Sequence, residues 1–307
     1  MTNISIYYFC VDGGGTKSIA ALYDLNNKIL AKSKTDSGNI YNDANNVVEN
    51  INILWSKCCK KAKLNKNLIN LHTIASFGLA GARYQKSRRY LNKKLNYFKK
   101  IIISTDGYIA LAGASSSTSK SIGVLNIGTG VVAHFMNKNK ISQQLSGWGF
   151  PYGDKGGGWW IGLRMVQATL RAIDGYNNNG DIIVKKTLNI IGKKDLKILN
   201  WISKSESRKL AKLSKVFFSV KSKSFIHSTI LKEGVDEIEL ILKYMIEEKK
   251  IRKIFLLGSI SKFYINYIQK KYLKYLINEE IDPLLGALRI AKKNFPIEVL
   301  INDKKIH

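Results

Sequence analysis

The chain has few of the residues that mark secreted, metal-binding or linker-rich proteins. Its 307 residues include only 3 Pro, 3 Cys and 4 His. So few prolines exclude long proline-rich linkers. Cys58 and Cys59 are adjacent, Cys10 is distant and no Cys-x-x-Cys motif occurs, which excludes a disulfide framework and favours reduced thiols in the cytoplasm. The histidines are scattered and lack the spacing of metal ligands.

Long apolar segments are also missing. The first apolar run, residues 4–11, is too short for a signal peptide or a membrane span, and no later run reaches the length of a spanning helix. Hydrophobic residues nevertheless make up 45% of the chain, which is enough for a buried core. We therefore expect a cytoplasmic globular protein with no membrane partner.

Acidic residues are scarce. There are 22 Asp and Glu against 50 Lys and Arg, and the formal net charge is +28. Such a charge can indicate nucleic-acid binding. The basic residues, however, occur in pairs along the whole chain and not in one arm, and no aromatic-interleaved RNA-binding motif accompanies them. We therefore interpret the charge as a solvated basic surface that attracts nucleotides by long-range steering, and we expect no nucleic-acid partner.

Apolar periodicity and turn residues predict an α/β chain in which one supersecondary unit occurs twice. A strand is expected on each side of the glycine run after Asp12, and again on each side of Gly128-Thr129-Gly130. The serine-rich segment 115–121 is the predicted boundary between a first domain, 1–114 with 283–307, and a second domain, 115–282, with a helical insertion. Further strands are predicted at 74–79, 101–104 and 254–257, helices at 45–63, 87–98, 108–114, 159–174 and 284–293, and a mostly helical region at about 181–250.

The first glycine motif is compatible with one of three phosphate loops. A Walker A loop needs glycine directly before Lys17, where Thr16 stands. A dinucleotide fingerprint needs glycine at Ser18 and should open a helix, whereas a strand follows. The remaining interpretation is a phosphate-binding hairpin, in which Gly13–Gly15 bring backbone N–H groups to phosphate oxygens. Thr16 then adds a hydroxyl donor, and Asp12 can hold Mg²⁺ through water.

Two aspartates each have a functional and a structural interpretation. Asp106 follows a predicted buried strand, where it can accept a proton from a substrate hydroxyl or cap the next helix. Asp154 lies in a glycine-rich segment, where it can accept sugar hydroxyls beside the apolar face of Trp148 or cap the helix near 159. The residues alone leave both alternatives open.

Several motifs together resemble one known family. DGGGT (12–16), GLAGA (78–82), TDGYIALAGA (105–114), IGTG (127–130), GWGFPYGDKGGGWWIG (147–162) and LLGSI (256–260) are similar to the N-acetylglucosamine/glucosamine kinases. That family belongs to the larger group of BadF/BadG-type ATPases. The resemblance spans nearly the whole chain, with its motifs in the family's order.

The resemblance implies two actin-like (ribonuclease H-like) domains, each a mixed sheet flanked by helices, with a cleft between them. It implies an ATP- and Mg²⁺-dependent homodimer that converts an amino sugar to its 6-phosphate and ADP. Asp106 matches the catalytic base, while Asp12 is the metal residue expected from the first glycine motif. The residues that match ATP contacts are Gly13, Gly14, Gly15, Thr16, Lys17, Gly128, Thr129, Gly130, Gly258 and Ser259. Those that match sugar contacts are Asn39, Asp106, Gly147, Trp148, Gly149 and Asp154.

The chain also departs from this family. Lys155 stands where the family commonly has Glu, Val131 where it often has Ser, and Ser259 lies in a turn that is usually richer in glycine. LLGSI resembles the glucosamine-kinase branch and GWG the N-acetylglucosamine-kinase branch, so both sugars remain open. The alternative functions are an ATPase that activates a partner enzyme, which would need cysteines able to hold an iron–sulfur cluster, and a catalytically inactive relative that binds sugar or nucleic acid.

Overall fold

The computed structural model describes residues 6–14, 17–36, 39–41, 43–115, 121–139, 141–176, 178–221 and 224–296. These residues form two compact units. The first takes its residues from Met1–Ser119 and Glu280–His307, and the second from Lys120–Glu279. None of the helices formed by these residues has the length and apolar character needed to cross a membrane.

Each unit contains a mixed five-stranded sheet built around an antiparallel hairpin. The strand orders are β3-β2-β1-β4-β5 and β10-β9-β6-β7-β8. β1 pairs antiparallel with β2 and parallel with β4, and β6 pairs antiparallel with β7 and parallel with β9. The duplicated hairpin predicted from the sequence is thus confirmed. The strands are β1 (Tyr7–Gly13), β2 (Lys17–Tyr23), β3 (Ile29–Asp36), β4 (Thr73–Leu79), β5 (Lys100–Ser104), β6 (Ile122–Ile127), β7 (Val131–Met136), β8 (Ser142–Ser146), β9 (Lys253–Leu257) and β10 (Leu276–Ile277).

Helices surround both sheets. Most of the helix ends expected from periodicity agree with the structure within two residues. The exception is the helix predicted for 87–98, which ends at Lys94 because the backbone then turns towards β5. The helices are α1 (Ala44–Ala62), α2 (Lys66–Ile69), α3 (Gln85–Lys94), α4 (Asp106–Ala114), α5 (Gly158–Ile173), α6 (Ile182–Ile191), α7 (Asp195–Ser203), α8 (Ser207–Ser219), α9 (Phe225–Lys243), α10 (Ser261–Tyr264), α11 (Lys270–Leu273) and α12 (Pro283–Asn294).

The first sheet is covered on both faces, because alternate residues of its central strand point to opposite sides. Phe9 contributes to a core with Trp55 of α1. Tyr8 contributes to a second core with Ile109 of α4 and Leu288 of α12. The central strand β1 is thereby held between two packed layers, which fixes the position of the turn at its carboxyl end.

In the second unit, α5 is packed closely against α8. A Cβ atom at Gly162 of α5 would lie only 2.1 Å from the carbonyl oxygen of Leu210. The buried side chains of Trp159 and Met165 on α5 join the core that contains Leu125 of β6. This packing fixes the helix, and its N-terminus lies at the second glycine turn.

Candidate functional site

Asp12 lies near the carboxyl end of the central strand β1, beside Gly78 of β4. Its carboxylate is half-buried. Burial is the main cause that raises the pKa of Asp12 to about 7, with a further contribution from the nearby carboxylates of Asp106 and Asp282 and a partial offset from Lys17. The ionised form of Asp12 is therefore disfavoured in the protein alone, and a cation bound beside it would stabilise that form.

The turn after Asp12 is closed by backbone contacts. The N–H of Gly14 donates to the carbonyl of Lys17 at 3.1 Å. A Cβ atom at Gly13 would lie 2.6 Å from Cδ2 of Leu79, so a larger residue there would require the Leu79 side chain to move. Gly15 and Thr16, which were predicted to contact phosphate, lie outside the described residues.

Asp106 is the first residue of α4 and follows β5 after a single residue. Thr105 caps this helix, because its side chain accepts a hydrogen bond from the N–H of Tyr108 at 3.2 Å. The capping role open to Asp106 is therefore filled by its neighbour. Oδ1 of Asp106 accepts from the N–H of Gly107 at 2.9 Å. Burial raises the pKa of Asp106, and the Gly107 amide offsets part of that rise.

The two aspartates share one edge of the first sheet. Asp12 is in register with Gly78, and Gly78 with Ser104 of β5. Neighbouring strands are about 4.8 Å apart, so residues two strands apart are separated by about 10 Å. Asp106 follows at this carboxyl edge, where open α/β sheets bind ligands.

Asn39 lies in a loop that is hydrogen-bonded to the residues after β4. The N–H of Ile40 donates to the carbonyl of Ala80 at 3.1 Å, and the N–H of Tyr41 donates to Oδ1 of Asn39 at 2.9 Å. Gly81 has a positive φ, and a Cβ there would lie 2.1 Å from Oδ1 of Asn39. The side chain is thus held in place through its oxygen, while its amide NH₂ has no partner among the described residues.

The second glycine turn lies against the N-terminus of α5. The N–H of Gly128 donates to the carbonyl of Gly130 at 2.9 Å, which closes the turn. The N–H groups of Gly158 and Trp159 donate to the carbonyls of Gly128 and Thr129 at 2.8 and 2.9 Å. Within the described parts of the chain, the N–H groups of Thr129 and Gly130 have no acceptor. They lie at the positive end of the helix dipole, which favours an anion.

This contact between turn and helix was not predicted from the sequence. A Cβ at Gly157 would lie 2.7 Å from Cα of Gly130, and one at Gly158 would lie 3.2 Å from the carbonyl oxygen of Gly128. The available signal was the run Gly156-Gly157-Gly158, in which Gly157 and Gly158 lie against the backbone of the turn and Gly156 has a positive φ.

Asp154 contacts the same turn. A Cβ at Gly130 would lie 2.2 Å from Oδ2 of Asp154. Burial raises the pKa of Asp154, and the amides of residues 147–149 and of Val131 oppose that rise. Its Oδ1 is buried and has no hydrogen-bond partner among the described residues. The N-cap of α5 is Gly157, so Asp154 does not cap this helix.

The remaining predicted residues of the second unit fall into two loops. Gly147 and Gly149 both have positive φ and flank Trp148, whose side chain is 68% exposed. Gly258 also has a positive φ, and its missing Cβ would lie 2.4 Å from the carbonyl oxygen of Ile127. The turn of Gly258 and Ser259 is thus in contact with the end of β6, directly before the second glycine turn.

Residues 10–291 match the model of the BadF/BadG/BcrA/BcrD ATPase family. The chain belongs to this family. It is 28% identical to an N-acetylmuramic acid/N-acetylglucosamine kinase of Clostridium acetobutylicum, over 93% of this chain and 98% of that protein. It is 24% identical to a glucosamine kinase of Vibrio cholerae, over 94% of this chain and 96% of that protein.

Solved structures show the same fold. A proposed N-acetylglucosamine kinase from Chromobacterium violaceum superposes with a TM-score of 0.86 at 19% identity, covering 94% of this chain and 99% of that chain. A ROK family glucokinase from Streptomyces griseus gives 0.55 at 13% identity, with coverage of 94% and 99%. The predicted fold class, two actin-like units with mixed sheets flanked by helices, is confirmed.

The residues of this ATPase fit Mg²⁺ and nucleotide phosphates. Mg²⁺ commonly keeps several waters and takes one or two carboxylates together with substrate phosphates. Asp12 provides a carboxylate whose charge a cation would stabilise, and the described residues contain no larger group of His, Cys, Asp or Glu arranged for a metal. Cys10, Cys58 and Cys59 are all buried, which disfavours their holding a cluster at a surface.

Proposed function

We propose that this chain is an ATP-dependent amino-sugar kinase that phosphorylates the 6-hydroxyl of glucosamine or N-acetylglucosamine, giving the sugar 6-phosphate and ADP. The observation that carries the proposal is the half-buried carboxylate of Asp106, which follows β5 while Thr105 performs the capping. A raised pKa makes Asp106 a stronger base than an exposed carboxylate. The two relatives named above, an N-acetylmuramic acid/N-acetylglucosamine kinase and a glucosamine kinase, support this reaction class.

In the proposed reaction, Asp106 accepts the proton of the sugar hydroxyl as its oxygen forms a bond to the γ-phosphorus. The bond between that phosphorus and the bridging oxygen breaks, and ADP leaves. Mg·ATP supplies the phosphoryl group and the neutralising positive charge. Asp12 would hold the metal. Phosphate and adenosine contacts come from Gly13–Lys17, Gly128–Gly130 and Gly258–Ser259, and sugar contacts from Asn39, Gly147–Gly149 and Asp154.

The test of the base is the variant Asp106→Asn, which keeps the size of the side chain and removes the proton acceptor. We expect sugar-dependent ADP release to fall by about 10²- to 10⁴-fold, while sugar binding measured by calorimetry stays within a few-fold. Near-normal turnover would rule out the assignment. Asp195→Asn is the matched control, because Asp195 is also the first residue of a helix but is exposed and far in sequence from the glycine turns.

The same assay defines the acceptor. ADP release with Mg·ATP should rise on adding glucosamine or N-acetylglucosamine and stay at baseline with no sugar. Absence of a response to either sugar would refute the proposed function. We also propose a cytoplasmic homodimer, for which light scattering should give twice the mass of one chain.

A further inference from the structure

Tyr264 is fully buried at the end of α10 in the second unit. Its hydroxyl donates a hydrogen bond to the carbonyl oxygen of Gly156, which is also buried, at 2.8 Å. Burial raises the pKa of Tyr264 well above its ordinary value, so the hydroxyl keeps its proton and remains a donor. The two groups are held together, because separating them would leave a buried donor and a buried acceptor without partners.

The carbonyl that accepts this bond belongs to the segment that contacts the second glycine turn. Gly156 directly precedes Gly157, whose missing Cβ would lie 2.7 Å from Cα of Gly130. Gly158 donates its N–H to the carbonyl of Gly128 at 2.8 Å. A shift of the Gly156 carbonyl would therefore reach, within two residues, the turn that has been proposed above to contact phosphate.

On its other side, Tyr264 is joined to the turn that has been proposed above to contact adenosine. Helix α10 is only one turn long and begins at Ser261, whose hydroxyl donates to the carbonyl of Gly258 at 2.9 Å. The N–H of Ile260 donates to the carbonyl of Ile127 at 3.0 Å, at the end of β6. The Tyr264 hydroxyl thus links two turns that would hold different parts of the same nucleotide.

Helix α9 leaves room for this hydroxyl at Gly234, near the middle of the helix. A Cβ at Gly234 would overlap the hydroxyl oxygen of Tyr264 and would lie 3.2 Å from Cε1 and Cζ of its ring. A Cβ at Gly156 would lie 3.2 Å from the carbonyl oxygen of Gly234. Alanine is the more stable residue inside a helix, but here its methyl group would displace the hydroxyl from the Gly156 carbonyl.

A second contact joins the same segment to α9, but it is more exposed. Nζ of Lys155 lies 3.3 Å from Oε1 of Glu237, and the two side chains are 55% and 33% exposed. Water screens an ion pair of this kind, so it contributes little to the position of the segment. The buried hydrogen bond of Tyr264 is therefore the contact whose loss should change the position of the segment most.

We propose that Tyr264 is a positioning residue of the proposed kinase, whose hydroxyl fixes the second glycine turn relative to the Gly258 turn and thereby aligns the phosphates with the bound adenosine. The inference rests on the proposed function and adds to it a residue that touches neither substrate. Losing the hydroxyl should leave adenosine binding nearly intact, because the Gly258 turn keeps its own hydrogen bonds, and should slow phosphoryl transfer.

The experiment compares the wild type with Tyr264→Phe, which removes only the hydroxyl. Sugar-dependent ADP release gives kcat and the KM for Mg·ATP, and calorimetry with Mg·ADP gives the fraction of protein that binds nucleotide. For each nucleotide-binding site, kcat should fall by about ten- to a hundredfold, the range expected when reacting groups move by up to about 1 Å. The KM for Mg·ATP should stay within about threefold of the wild-type value.

Two further variants isolate the hydroxyl. Gly234→Ala should lower kcat in the wild-type background and have a much smaller effect in the Tyr264→Phe background, where no hydroxyl remains to be displaced. Tyr272→Phe is the matched control. Tyr272 is also buried in the second unit, on α11, and within the described parts of the chain no hydrogen bond joins its hydroxyl to either turn, so kcat should not change.

The outcomes separate this inference from the proposed function. If the wild type releases ADP with neither sugar, the kinase function itself fails. If the wild type is active and Tyr264→Phe keeps kcat within twofold, Tyr264 does not position the turns. A fall in kcat that is fully matched by a lower fraction of nucleotide-binding protein would show a purely structural role and would also overturn the inference, as would an equal effect of Gly234→Ala in both backgrounds.

Discussion

The substitution Gly130→Ala tests the contact between the second glycine turn and Asp154. The added Cβ would lie 2.2 Å from Oδ2, 2.9 Å from Cγ and 3.1 Å from Cβ of Asp154. Gly130 does not have a positive φ, so its backbone accepts alanine without strain. The steric conflict is therefore with the carboxyl group, which must move by about 1 Å to reach an ordinary contact distance.

A displacement of that size has a predictable effect on phosphoryl transfer. If Asp154 orients the sugar, a shift of about 1 Å should lower kcat/KM for the sugar by about 10²-fold. The assay is sugar-dependent ADP release at saturating Mg·ATP. Thermal unfolding of the same samples shows whether the turn itself has been disrupted, since a change confined to one side chain should shift the melting temperature by only a few degrees.

A double-mutant cycle isolates the cause. In the Asp154→Ala background there is no carboxyl group to displace, so Gly130→Ala should have little additional effect on kcat/KM. An effect of equal size in both backgrounds would refute the steric argument and would indicate that Gly130 acts through the turn alone.

Two further predictions concern the first unit. In Gly286→Ala, the new Cβ would lie 1.9 Å from the carbonyl oxygen of Ile109 and 2.5 Å from the amide nitrogen of Gly113. Because both atoms belong to the backbone of α4, urea unfolding of the variant should show a loss of about 3 kcal/mol in unfolding free energy. A loss below about 0.5 kcal/mol would contradict this packing. Because the pKa of Asp12 is raised to about 7 from 3.8, the folded state keeps a proton that the unfolded state releases, and stability falls as pH rises through this window. Asp12→Asn should therefore melt higher than the wild type at pH 8 without ligand, and a lower melting temperature there would refute this.

The sequence was most informative where a local pattern determines a local structure. Glycine residues between two apolar segments predicted each hairpin, because glycine permits the tight turn that joins two neighbouring antiparallel strands. The end of the apolar run at Ser104 likewise placed Asp106 at a strand terminus. β8 was missed because its sequence, SQQLS, is polar and lacks an alternating apolar pattern.

Contacts between distant residues could not be predicted in this way. Gly130 and Asp154 are well separated along the chain, and Asp154 has a positive φ that non-glycine residues seldom adopt, so no pattern in the sequence indicated their contact. The identity of the residue that caps α4 also needed coordinates, since both Thr105 and Asp106 are residue types that cap helices and the structure assigns the cap to Thr105. Periodicity describes which face of an element is buried, and it does not describe which loops meet.

The two glycine turns present different electrostatic surroundings to a phosphate group. In the second unit, the N–H groups of Thr129 and Gly130 have no acceptor among the described residues and lie at the N-terminus of α5, so they and the helix dipole favour an anion, while the carboxylate of Asp154 beside the turn opposes it. In the first unit, the turn follows Asp12, whose ionised form would repel an anion and is disfavoured by burial and by Asp106. A phosphate bound beside Asp12 would therefore need a cation to offset the carboxylate, whereas at the second turn the amides and the helix dipole already offset the effect of Asp154.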